Sequence, residues 1–74
     1  MTTTLDFRGL KCPLPVLKAR KALASAESGA EFVILVTDPA APGDFEAFCA
    51  QSGHRLVSVQ PEGKGHRITL AGKG

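Results

Sequence analysis

One short segment holds the residues best suited to chemistry: residues 8–15 read Arg-Gly-Leu-Lys-Cys-Pro-Leu-Pro. A free cysteine thiol has a pKa of about 8.5, and only its thiolate is a strong nucleophile. Arg8 and Lys11 stand within four residues of Cys12, and their positive charges favour the thiolate. A free cysteine is often a small buried hydrophobe instead, but a residue between lysine and proline has little apolar surface around it. The segment therefore predicts an exposed, nucleophilic thiol at Cys12.

A helix predicted over residues 13–26 positions this thiol. Pro13 suits the first helical position and Pro15 still lies in the first turn, where a missing N–H leaves no intrahelical bond unmade. Cys12 then falls at the N-cap or beside it, next to the positive end of the helix dipole. Because Pro13 has no N–H, hydrogen bonds to the sulfur would have to come from Leu14 or a later residue. That shortage limits how strongly the helix end stabilises the anion.

The same helix has two different sides. Small and branched apolar residues at spacings of three or four predict a buried side: Val16, Ala19, Leu23 and Ala26. The other side carries two leucines and two lysines, which make a candidate partner-binding surface: Leu14, Leu17, Lys18 and Lys21. Residues 1–21 hold five basic residues against one acid, whereas residues 22–53 hold five acids and no base. This distribution fits either a mixed solvated surface or a basic field that draws an acidic protein or an anion.

The rest of the pattern predicts the order β-α-β-α-β-β. Apolar, β-branched and alternating segments predict strands at residues 3–7, 31–37, 56–60 and 67–71. The second strand is apolar on both faces and should be central. A strand–helix–strand unit implies a parallel pair, and the last two strands form a hairpin across residues 61–65. The predicted fold class is α/β (α+β): a two-layer sandwich with two helices packed on a four-stranded mixed sheet.

The second helix follows the loop after residue 37. Pro42 is expected to open it or Asp44 to cap it, and Gly53 to end it. Phe48 and Cys49 share its apolar side with Phe45. Cys49 is therefore expected to be a core residue, the alternative being a resolving thiol that attacks a modified Cys12. Asp38, before this helix, is expected to act as a cap, with partner recognition as the alternative.

Length and composition narrow the function classes. The 74 residues suffice for one domain, residues 1–74, with 43% hydrophobic residues and a net charge of +2. So short a chain has little room for a deep substrate pocket, which favours a carrier, a binding module or a regulator over a self-contained metabolic enzyme. No apolar run reaches the roughly 18 residues that span a bilayer, and residues 1–4 do not look like a signal peptide. With two cysteines, the expected location is the cytoplasm, where thiols stay reduced.

Metal and nucleic-acid sites are not expected. The possible metal ligands show none of the close spacings of zinc sites: Cys12, Cys49, His54 and His66. Both histidines are expected at strand starts on the surface. The chain has no tryptophan, no tyrosine and no long basic stripe, so direct nucleic-acid binding is a minor alternative.

The motif Leu5-Asp6-x-Arg8-Gly9-Leu10-x-Cys12-Pro13-x-Pro15-Val16 resembles the signature of the TusA/SirA-like family of small sulfur-carrier proteins. The family fold has the same β-α-β-α-β-β order. The resemblance covers nearly the whole chain and continues through further shared residues: Arg20-Lys21, Asp38-Pro39-Ala40, Asp44, Phe48-Cys49 and Gly53-His54.

This resemblance implies a sulfurtransferase-type relay component. Cys12 would accept sulfane sulfur as a persulfide from a cysteine desulfurase or rhodanese-like donor and pass it to an acceptor protein, in transfer-RNA thiolation or in sulfur oxidation. No cofactor, metal, membrane or nucleic acid is implied, and the chain is expected to be a monomer. Supporting roles are expected for the motif residues around the thiol: Arg8, Gly9, Lys11, Pro13 and Pro15. Leu14 stands where some sulfur-relay members carry glutamate, beside the sulfur on the docking surface.

A second hypothesis treats the chain as a small regulatory or protein-interaction module. Its cysteine would then be redox-sensing or incidental. The basic first helix motivates this alternative, as does the regulatory role described for other members of the family.

Overall fold

In the residues that the structure describes, 2–11, 13–25 and 29–72, two helices pack on one face of a four-stranded mixed sheet. The structure is a computed structural model. Its elements follow the predicted order: β1 (Thr2–Asp6), α1 (Leu14–Ala24), β2 (Glu31–Val36), α2 (Ala41–Ser52), β3 (Arg55–Glu62) and β4 (Gly65–Ala71). The predicted fold class is confirmed.

The sheet order is β1-β2-β4-β3, with β2 parallel to β1 and antiparallel to β4. β2 is an inner strand, as its apolar sequence predicted. Since β1 and β2 run in parallel, their carboxyl ends meet at one edge of the sheet. The loops that lead into α1 and α2 leave from this edge. The loop that contains Cys12 in the sequence therefore starts beside the loop that follows β2.

The hydrophobic core lies between the helices and the inner face of the sheet. Its buried members alternate along β2 and β4 and recur at helical spacing on α1 and α2: Ala19, Leu23, Phe32, Ile34, Val36, Ala41, Phe45, Cys49, Ile68 and Leu70. Phe45 has no exposed surface. On α1, the predicted buried side is confirmed at Ala19 and Leu23, while Val16 is half-buried. Ala26 lies outside the described residues.

The boundaries of α2 differ from the prediction. The helix begins at Ala41 with Ala40 as its N-cap, so the prediction that Pro42 opens it or Asp44 caps it was wrong. Pro42 lies in the first turn, where its missing N–H leaves no helical bond unmade. Instead, Asp38 Oδ1 accepts a hydrogen bond from the Ala40 N–H at 2.9 Å, and the Asp38 carbonyl accepts one from the Ala41 N–H at 3.0 Å. Asp38 therefore makes the turn that leads into the helix.

The β3–β4 hairpin is tighter than predicted, with Gly63 and Lys64 as its turn. Pro61 belongs to β3 because this is an edge strand, in which a missing N–H is tolerated. Gly65, the first residue of β4, is buried against the end of β2. A Cβ at this position would overlap the Val36 carbonyl oxygen and would lie 2.8 Å from the Thr37 Cα. The end of β2 can be this close to β4 only if residue 65 has no side chain.

Candidate functional site

The chain that precedes Cys12 is fastened to the carboxyl end of β2. The Phe7 N–H donates to the Leu35 carbonyl at 2.9 Å, and the Gly9 N–H donates to Thr37 Oγ1 at 2.9 Å. The Leu10 N–H donates back to the Phe7 carbonyl at 3.2 Å. Gly9 has a φ of +85°, which confirms the positive φ expected of the glycine in this turn. Cys12 itself lies outside the described residues, so the site is described by its neighbours.

Arg8 forms a two-pronged ion pair with Asp6. Its Nε lies 2.8 Å from Asp6 Oδ1 and its Nη2 lies 2.7 Å from Oδ2, and the Arg8 N–H also donates to Oδ1 at 3.2 Å. The hydrogen bond from the guanidinium lowers the pKa of Asp6 to about 2 and raises the pKa of Arg8. The positive charge of Arg8 is thus balanced at Asp6, a different role from the thiolate stabilisation expected of it. In the described part of residues 8–15, Lys11 is the basic residue that forms no ion pair.

The start of α1 offers few hydrogen-bond donors. Pro13 is the N-cap, and no side chain caps the helix. The Leu14 N–H donates to the Lys11 carbonyl at 2.9 Å, so this N–H, which was expected to be a donor to the sulfur, is already used. Pro15 is buried and has no N–H. Of the four residues 13–16, Val16 is the remaining one whose N–H could face an anion.

The outer side of α1 presents apolar and basic groups together. Leu14 is 45% exposed and Leu17 is 50% exposed, and both are followed on the same side by exposed lysines, Lys18 and Lys21. The structure thus brings the four predicted partner-binding residues onto one surface.

Two depressions lie near the start of α1. A groove of about 260 Å³ between α1 and α2 is lined by Pro13, Leu17, Arg20 and Phe48, among others. A cleft of about 370 Å³ lies between residues 9–11 and residues 37–39. Both are open to solvent.

The profile of the family described as sulfurtransferase TusA matches residues 3–72. The chain belongs to the TusA family. Two candidate sulfur carrier proteins of Neisseria meningitidis, from serogroups A and B, are each 56% identical to it over 59 residues, which cover 80% of this chain and 80% of the relative. The sulfur carrier protein TusA of Allochromatium vinosum is 44% identical over 59 residues, 80% of this chain and 78% of that protein.

The fold agrees with a solved structure of a related protein. The crystal structure of a SirA-like protein from Desulfitobacterium hafniense superposes with a TM-score of 0.83 at 26% sequence identity, with all of both chains covered. The family resemblance of the cysteine motif is therefore confirmed by sequence and by fold.

Cys49 is the second cysteine of this TusA-family chain, and it is a core residue. Its thiol is free, and the residue is only 5% exposed, on the inner side of α2. Burial raises the pKa of this thiol, which keeps it protonated and weakly nucleophilic. These findings favour the packing role predicted for it over the resolving role.

The two histidines are less exposed than expected. Both are half-buried, so the prediction of simple surface residues was wrong. His54 packs against Phe48, with ring centroids 5.6 Å apart. His66 lies two residues before the buried Ile68 and therefore on the same inner side of β4. Its Nδ1 atom is buried and has no hydrogen-bond partner among the described residues. Sequence alone cannot show this, because it depends on which side of the strand the helices cover.

Two further observations concern metals and membranes. Among the described residues, no three His, Cys, Asp or Glu side chains lie close enough together to hold a metal ion. Over the same ranges, neither helix combines the length and the apolar character needed to cross a membrane.

Thr37 was missed as a residue that shapes the site. It follows β2 and lies 28 positions from Gly9, whose N–H it accepts. The signal that could have found it is topological: β1 and β2 are parallel neighbours, so a polar residue at the end of β2 meets the loop that follows β1. In the sequence, Asp6 stands out as the one acid of residues 1–21 and as part of the TusA-family motif. Its ion pair with Arg8 was not predicted, although their i, i+2 spacing allows it.

Proposed function

We propose that this chain is a cytoplasmic sulfur carrier that holds sulfane sulfur as a persulfide on Cys12. The observation that supports this most is the TusA family match over residues 3–72, which includes the Cys-Pro-x-Pro motif. Relatives that are 44% and 56% identical carry the name of sulfur carrier proteins or candidate ones. Cys49 is buried, which leaves Cys12 as the thiol for the transfer.

The transfer consists of two balanced exchange steps. The Cys12 thiolate attacks the outer sulfur of a donor persulfide, the donor S–S bond breaks, and the donor leaves as a thiolate that takes up a proton. Cys12 is then a persulfide. In the second step an acceptor thiolate attacks the outer sulfur, and Cys12 leaves as a thiolate. No net oxidation takes place and no cofactor takes part, because the sulfane sulfur keeps its oxidation level throughout.

The partner surface is the outer side of α1. Two exposed leucines supply apolar area, and the neighbouring lysines favour partners with acidic residues around the docking site: Leu14, Leu17, Lys18 and Lys21. Both the donor and the acceptor must reach the same sulfur, so we propose that they use overlapping parts of this surface in turn. A single open carrier domain that acts as a monomer suits this use. The relay would serve transfer-RNA thiolation or sulfur oxidation.

The central experiment loads the protein with sulfur. The purified chain is incubated with a cysteine desulfurase and cysteine, or with a rhodanese-like protein and thiosulfate, and its intact mass is measured. We expect the gain of one sulfur atom in the wild type and in Cys49→Ser, and no gain in Cys12→Ser. The absence of an adduct with every donor would refute the proposal. Full complementation of a deletion strain by Cys12→Ala would favour the regulatory module instead.

The partner surface is tested separately. Leu17→Ala should weaken donor binding, and Lys18→Glu with Lys21→Glu should slow association, most at low ionic strength, because rim charges act mainly on the association rate. Lys64→Glu, in the β3–β4 turn, makes the same charge reversal at a single site away from α1 and serves as the control. If the association rate falls by the same amount per reversed charge in the double variant and in Lys64→Glu, a docking surface on α1 is contradicted.

A further inference from the structure

Three side chains fasten the segment that leads to Cys12. Asp6, the last residue of β1, holds Arg8 through two side-chain contacts of 2.7 and 2.8 Å and through the Arg8 N–H at 3.2 Å. Thr37, after β2, accepts the Gly9 N–H at 2.9 Å. The segment is thus held on one side to its own strand and on the other to the neighbouring strand. We call these three residues, Asp6, Arg8 and Thr37, the loop clamp.

We propose that the loop clamp positions the sulfur-bearing segment for transfer, so that its members are positioning residues. This inference rests on the proposed function, since the transfer step gives the clamp its purpose. Among the described residues, hydrogen bonds hold the chain at Phe7, Gly9 and Leu10, and the Leu14 N–H donates to the Lys11 carbonyl. The segment is therefore held up to Leu10, two positions before Cys12 in the sequence.

A carrier whose described clefts are open to solvent needs such a device. The reacting sulfur atoms must meet in line within a complex, and the rate of such a step depends strongly on how well the two groups are oriented. Freedom in the segment before Cys12 would have to be lost at each encounter, with an entropic cost. Holding the segment in the free protein removes that cost before the partner arrives.

The clamp contributes little to the core. Asp6 and Arg8 have side chains that are 54% and 60% exposed, and exposed ion pairs add little to stability. A second ion pair in the same sheet, between Arg67 and Glu62, has side chains that are 50% and 41% exposed. It joins β4 to β3, and the charge of Glu62 also acts on Arg8. The control for the loss of an exposed ion pair is therefore Arg67→Gln, which breaks this second pair and keeps the charge of Glu62.

The test uses hydrogen exchange and single-turnover sulfur transfer on the same variants. In Thr37→Val the Gly9 N–H loses its acceptor without a change in side-chain shape, and we expect its exchange to accelerate about tenfold. Sulfur uptake at saturating donor should slow by about tenfold, with little change in the donor concentration for half-maximal rate. Thr37→Ser keeps the hydroxyl and should restore both values.

The Asp6–Arg8 half of the clamp is tested by a double-mutant cycle. Asp6→Asn and Arg8→Gln should each slow uptake, and the double variant should be no slower than the worse single variant, because both remove the same contact. Arg67→Gln, which breaks the second ion pair, should leave uptake unchanged.

The outcomes separate this inference from the proposed function. Faster Gly9 exchange with unchanged uptake, or unchanged Gly9 exchange in Thr37→Val, would overturn the positioning role. Additive losses in the cycle, or an equal loss in Arg67→Gln, would also overturn it. If the wild type takes up no sulfur from any donor, the proposed function fails, and the positioning role fails with it, whatever the exchange data show of the clamp itself.

Discussion

Gly65→Ala should destabilise the protein strongly, although it adds one methyl group. The backbone at Gly65 does not have a positive φ, so alanine suffers no dihedral strain there. The cost is steric: the new Cβ would overlap the Val36 carbonyl oxygen and lie 2.8 Å from the Thr37 Cα, where ordinary contact begins at 3.4 Å. Both obstacles are backbone atoms, so no side-chain rotation can relieve them. The start of β4 must therefore move away from the end of β2.

The size of the effect follows from two contributions. Overpacking of a well-packed interior costs about 1–3 kcal/mol. Displacing β4 also weakens the pairing of His66 with Val36, and a lost backbone hydrogen bond costs about 1 kcal/mol. We expect a loss of about 2–4 kcal/mol, a large fraction of the roughly 4–11 kcal/mol typical of a chain this long.

The assay is urea unfolding followed by circular dichroism, since the chain has no tryptophan or tyrosine for fluorescence. Gly43→Ala is the control, because Gly43 lies inside α2, has no positive φ and has no atom within 4 Å of a Cβ. It should stabilise the protein by about 0.5–1 kcal/mol through helix propensity. A Gly65→Ala loss below about 1 kcal/mol would refute the close approach of β4 to β2 as the reason for glycine at this position.

Further predictions concern the two thiols and the ion pair of the loop clamp. Iodoacetamide should label Cys12 of the native protein quickly and Cys49 only on unfolding, because burial excludes the reagent from Cys49 and raises the pKa of its thiol. Peptide mass spectrometry measures both labelling rates, and equal rates would contradict the core position of Cys49. The pKa of the Asp6 carboxyl should be about 2 in the wild type and should rise towards its ordinary value of 3.8 in Arg8→Gln, where the backbone N–H of residue 8 still donates to it, as followed by NMR. Since the pKa of Asp6 is lower in the folded than in the unfolded protein, the ion pair stabilises the protein fully above about pH 4 and loses this effect as the pH falls towards 2. A wild-type pKa near 3.8 would rule out the contact between Asp6 and Arg8 in solution.

The order of elements could be predicted from the sequence because each rests on a local pattern. The alternation in β3 and β4, the apolar run of β2 and the helical spacing of Ala19 and Leu23 are visible in single segments. Phe45 and Cys49 could be placed in the core for the same reason. The two prolines at positions 13 and 15 located the start of α1 to within one residue.

The features that sequence reasoning missed depend on contacts between segments. Thr37 meets Gly9 across 28 positions, and nothing in the sequence near either residue indicates the contact. The half-burial of His66 depends on the helices that cover the sheet. Arg8 was expected to act on the thiol, since both lie in one motif, but its guanidinium makes two hydrogen bonds to the Asp6 carboxylate, two residues away.

The start of α1 has a consequence for selectivity. Helix N-termini commonly bind phosphate or sulfate through several free N–H groups. Here Pro13 and Pro15 have no backbone N–H, and the Leu14 N–H already donates to the Lys11 carbonyl. Inorganic anions therefore find few donors among these residues. Under the proposed function, a partner that docks on α1 would not have to displace a bound ion first, and the lysines of α1 would remain available to acidic groups on that partner.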